Sequence, residues 1–75
     1  MKVTAQNVAQ ATPDRGTVET RIEIDGAGAH WITFQIIRTA AGWQILDGLG
    51  RDIGGTSETP HDAAKWIKNT LEKSV

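Results

Sequence analysis

Two histidines, His30 and His61, are the side chains here suited to proton transfer near neutral pH. A catalytic role requires a nucleophile or a carboxylate held beside one of them. His61 and Asp62 are adjacent, and helix neighbours point about 100° apart, so they do not form a dyad. With no cysteine there is no thiolate, and no His or carboxylate pair has metal-site spacing. Gly48, Leu49 and Gly50 begin a GxG, but Ile53 occupies the position of the third glycine in a dinucleotide-binding loop. No Gly-Lys-Ser/Thr motif offers a phosphate cradle either. The chemistry expected is binding without catalysis: no catalytic residue, no metal and no cofactor.

Charge narrows the partners. Eight basic and nine acidic residues in 75 give a net charge of −1, too little for a strong non-specific hold on nucleic acid. The mean hydropathy of −0.33 and the lack of a long apolar run exclude a membrane-spanning helix. No basic start leads into an apolar signal core, and the absence of cysteine fits the cytoplasm. With no repeat and no shift in composition, residues 1–75 read as one small α+β domain.

Turn chemistry divides that domain. Pro13, Asp14, Arg15 and Gly16 form the first break, Asp25 to Gly28 the second, and Ala40, Ala41 and Gly42 the third. Residues 48–57, with four glycines, read as a broad crossover loop. Residues 17–24 alternate between apolar Val18, Ile22 and Ile24 and charged Glu19, Arg21 and Glu23, a strand with one wet face. Residues 31–38 are a second strand with Ile32, Phe34 and Ile36 inward, and residues 43–47 a shorter third. Residues 2–10 fit a strand or a short helix; the tight turn that follows favours a strand and a hairpin. Near the C-terminus Thr59 is an N-cap, Pro60 the first helical residue and Asp62 an acid in the first turn. Ala63, Trp66, Ile67, Thr70, Leu71 and Ser74 then share a stripe opposite Lys65, Lys68, Asn69, Glu72 and Lys73. The fold expected is an antiparallel meander of three or four strands with one C-terminal helix on one face. Its core would be Val18, Ile22, Ile24, Ile32, Phe34, Ile36, Trp43, Ile45, Trp66, Ile67 and Leu71.

A single helix covers one face only. Trp31, Thr33, Gln35, Ile37 and Leu46 alternate against the inward set, so Trp31, Ile37 and Leu46 should gather on the uncovered side. An apolar group with an aromatic anchor is a partner-binding surface, for another protein or for a homodimer, and an open edge strand is a second route. The alternative is second-side core, if the sheet curls or the N-terminal segment folds over it. A nucleic-acid-binding reading would use Arg21, Arg38, Arg51, Lys65 and Lys68, though these make no continuous basic stripe. A small-molecule pocket between sheet and helix would be lined by Trp43 and Trp66.

The stretch 32–47, with Gly42, Trp43, Ile45 and Asp47 opening its second strand, resembles the long hairpin of NTF2-like and cystatin-like folds. That resemblance implies a curved sheet used as a binding module, sometimes with a pocket. The order of elements is also similar to double-stranded-RNA-binding domains, if residues 2–11 are helical. Three strands before a helix opening on Thr59, Pro60, Asp62 and Ala63 are similar to the small N-terminal DNA-binding domains of phage-type integrases. Both of these imply a nucleic-acid partner.

Overall fold

A computed structural model describes residues 1–73. Five strands lie side by side in sequence order: β1 (Lys2–Thr12), β2 (Arg15–Ile24), β3 (Gly28–Thr39), β4 (Gly42–Leu46) and β5 (Asp52–Ser57). All four neighbouring pairs are antiparallel. The helix α1 (Pro60–Lys73) follows and crosses one face, giving the α+β meander expected, with one strand more than expected.

The added strand is β5, inside the stretch read as a loop. Gly54 and Gly55 hide it, because glycine has low strand propensity and no side chain to show alternation. Gly55 is there for the helix. A Cβ on it would stand 2.8 Å from the Trp66 ring and 2.9 Å from Ile45 Cδ1, so the indole lies where a side chain would be. The pairing slips between Ile45–Gly55 and Leu46–Asp52, which accommodates Ile53 and Gly54.

Residues 2–12 form a strand, and a β-bulge explains their unclear period. Val3 pairs with Ile22, but Arg21 pairs with Ala5, so Thr4 is the extra residue. Val3 is therefore on the same face as Gln6 and Val8, a spacing of three followed by two that imitates a helix. Gln6 uses its place under the helix: Nε2 donates to Ala64 O at 2.8 Å and to Thr20 Oγ1 at 3.3 Å. Thr20 is fully buried, and this bond satisfies a hydroxyl that would otherwise be stranded in the core.

The helix begins as its sequence requires. Asp62 N–H donates to Thr59 Oγ1 at 3.1 Å, and Ala63 N–H to Thr59 O at 3.0 Å. Ala63, Ala64 and Ile67 are buried against Val18, Phe34, Ile36, Trp43 and Ile45, with Trp66, Leu71, Val8 and Ile32 at the margin. Thr70 of the expected stripe is exposed, and Ser74 lies outside the described residues. Ile24 is a correction to the expected core. It keeps the inward parity of Val18 and Ile22 but is 38% exposed. Fourteen helical residues span about 21 Å, whereas the twelve of β3 span about 40 Å, so the far end of β2 and β3 has no cover. Every residue from Glu23 to Trp31 is exposed.

The close seat of Trp66 gives a measurable consequence. Gly55→Ala should lower stability by about 1–3 kcal/mol through overpacking, read from urea denaturation. In a Trp66→Leu background the same change should cost less, since the obstructing ring is gone. Equal costs in both backgrounds would remove the indole contact as the reason for Gly55.

Candidate interaction surface

The face opposite α1 is built by the outward residues of the three central strands. The register sets Trp31 against Arg21, Thr33 against Glu19, Gln35 between Thr17 and Leu46, and Ile37 between Arg15 and Gln44. All five residues singled out from the sequence, Trp31, Thr33, Gln35, Ile37 and Leu46, share this parity. They do not gather as expected. Trp31 and Ile37 are six residues apart on one strand, about 20 Å. Ile37 and Leu46 form a half-buried diagonal pair near β4, and Trp31 stands alone at 56% exposure where β3 has outrun β4. Thr33 and Gln35 make the ground between them polar, and Gln35 Nε2 reaches Gly48 O at 3.5 Å.

Charge around Trp31 is organised by its cross-strand neighbour. Arg21 donates to Thr4 Oγ1 at 2.7 Å and pairs with Glu23 at 3.3 Å, so its guanidinium is held to its own side of the strand pair. Both partners are well exposed, and the pair contributes little to stability. A shallow groove runs along the same face, bordered by Ala11, Arg15, Thr17, Thr33, Gln35 and Ile37.

The basic residues of the nucleic-acid reading are spread over different surfaces. Arg21 is on the face away from the helix, while Lys65 and Lys68 are exposed on the helix itself. Arg38 lies opposite Trp43 at the end of β3 with its N–H bound to Asp14 O. Arg51 Nε donates to Asp47 at 2.9 Å in the β4–β5 turn. The two histidines are also apart: His30 Nε2 is 3.0 Å from Ala27 O in the β2–β3 turn, and His61 is exposed in the first turn of α1. Among the described residues no group of three or more His, Asp or Glu converges as a metal site. No helix among them is long and apolar enough to cross a membrane. Trp43 and Trp66 belong to the packed layer between sheet and helix, with the Trp66 ring against Gly55.

A feature the sequence did not disclose is the strap at residues 47–51. One Asp47 carboxylate oxygen accepts the N–H groups of Leu49 and Arg51, both at 2.9 Å, and the other accepts Arg51 Nε. Gly50 takes φ 84 to close the turn, which carries Leu49 out at 80% exposure. The Asp-x-x-x-Arg spacing is the only trace of this in the sequence.

No protein-family model matches the chain, and neither a curated protein nor a solved structure matches it.

The Arg51 backbone N–H, then that of Leu49 and the Arg51 guanidinium, hold the Asp47 carboxyl below its ordinary value of 3.8, against a smaller opposing effect of burial. A depressed folded value means that the carboxylate's contribution is complete above pH 3.8 and is lost as pH falls through the lower folded value. Carboxyl carbon shifts followed by NMR should show Asp47 titrating below 3.8. The Leu49 and Arg51 amide proton shifts should move with the same midpoint as their shared acceptor is protonated.

Proposed function

We propose that this domain is a non-enzymatic protein-interaction module that binds through its sheet, by the helix-free face and by an open edge. The observation that supports this most is the contrast among the three tryptophans. Trp43 is buried and Trp66 lies against the core, while Trp31 is 56% exposed on a surface that has no second layer among the described residues. An indole more than half exposed keeps a large part of its hydration cost, which a partner would relieve. Half-buried Ile37 and Leu46, with the groove beside them, extend the contact surface along β3 and β4. Thr33 and Gln35 supply hydrogen-bonding groups between the apolar ends, the mixture typical of interfaces that form and dissolve.

Peptides selected for binding by display on the immobilised domain provide the test. Trp31→Ser should weaken a selected peptide by about 30-fold or more, the loss expected for a central aromatic anchor, and Ile37→Lys should weaken it as well. The melting transition of Trp31→Ser should move little, since surface changes cost within about 0.5 kcal/mol. Undiminished binding by the Trp31 variant, or its loss of folding, would defeat the assignment of this face.

A further inference from the structure

The sheet has two edges, and they differ. β5 is six residues long, opens on Asp52, breaks register against Leu46 and holds Gly54 at φ 90. Those features blunt an edge. β1 is eleven residues long, with β2 on one side and no strand on the other among the described residues. Residues 3–12 contain no charge and no proline; Lys2 precedes them and Pro13 and Asp14 follow. An edge of this length is usually protected by a charged side chain or a proline, and here those stand only at its two ends and leave residues 3–12 without either. The bulge sits at Thr4, and Glu72 Oε2 accepts the Val3 N–H at 3.2 Å.

The ladder fixes where the remaining main-chain groups point. Arg38 N–H donates to Asp14 O, bracketing the Arg15–Ile37 pair, so outward residues of β2 and β3 form the non-hydrogen-bonded pairs. Inward residues of β2 therefore exchange their bonds with β3. Their opposite numbers on β1, which are Val3, Gln6 and Val8, turn N–H and C=O away from the sheet. The Val3 bond to Glu72 agrees with that parity. Gln6, Val8 and Gln10 thus present an unbroken row of donors and acceptors, at two-residue intervals, along the free edge.

We propose that this row pairs with the same row of a second copy of the chain. β1 would run antiparallel to its counterpart about a twofold axis at Val8, setting Gln6 against Gln10 of the second copy and Val8 against itself, each pair exchanging two hydrogen bonds. The proposal rests on the interaction-module reading and names its partner. Three features select a second copy over a foreign strand. The row is symmetric about Val8, as a twofold contact demands. A strand without charge meets its own copy without repulsion. Antiparallel order brings the Lys2 end, where Lys68 borders the groove along Val3 to Gln6, toward the Asp14 end of the other chain. The joined sheet would end in the blunted β5 on both sides, so association stops at two and does not grow into a fibre.

Sedimentation and residue-resolved amide exchange, each over a hundredfold range of concentration, test this. The mass should rise from 8.1 kDa toward twice that value, and the Gln6, Val8 and Gln10 amides should gain protection in step with it. Gln10→Pro deletes a donor that β1–β2 pairing does not use, and should shift the dimer to monomer with the β2–β3 amides still protected. Ala9→Lys, on the outward face beside the axis, should weaken the dimer at least tenfold at low salt and less at high salt. This second variant decides the matter if the proline disturbs the fold. A chain still monomeric at about 1 mM overturns the proposal and leaves the face to its own peptide test. A dimer in which these three amides exchange freely, or one abolished by Trp31→Ser but kept in Gln10→Pro, also overturns it and moves the contact to the face.

Discussion

Most of what distinguishes this molecule follows from a mismatch in length. A helix of about 21 Å is laid on strands of up to about 40 Å, close to the longest extent of the molecule, 41 Å. Burial is therefore complete at one end and absent at the other. Val18, Ile36 and Ile45 are sealed under α1. Ile24 and Trp31 extend past it on opposite faces of the same strand pair. A longer helix would have drawn Ile24 into the core, and a second helix would have covered Trp31. The chain has neither among its described residues, so its apolar surface is unevenly spent.

A small set of polar contacts fits that short helix to the sheet. Thr59 caps its first turn, Gln6 bridges Ala64 to the buried Thr20 hydroxyl, and Glu72 reaches the backbone of β1 from its last turn. Each joins an orphan donor or acceptor to a neighbour, which is what a thin core requires. The Asp47 strap does the same locally, with one carboxylate closing a turn that would otherwise leave its N–H groups to water. These contacts are fixtures of the fold.

The sequence disclosed elements wherever side chains carried the signal. Strict alternation in residues 17–24, β-branched residues in 31–38 and the Thr59–Pro60 start of α1 all correspond to what is found. It failed where backbone or distance carried the signal instead. A bulge at Thr4 erased the period of β1, and Gly54 and Gly55 erased that of β5. The parity of Trp31, Thr33, Gln35, Ile37 and Leu46 was legible; their separation was not, because alternation records faces and says nothing about how far a strand outruns its neighbours. Ile24 was misjudged for the same reason.

The order of elements also shapes how the chain is made. Neighbouring strands are joined by short hairpins, so the sheet can assemble as it emerges from the ribosome. The layer that covers it follows all five strands in the chain, and its contacts reach back to the first of them: Ala64 to Gln6 and Glu72 to Val3. Until α1 has emerged as well, Val18, Phe34, Ile36, Trp43 and Ile45 form an open greasy plate, which is the kind of nascent surface that chaperones hold. A ribosome adding about 5–20 residues per second keeps that plate uncovered for seconds, so the vulnerable period of this small domain falls during its synthesis.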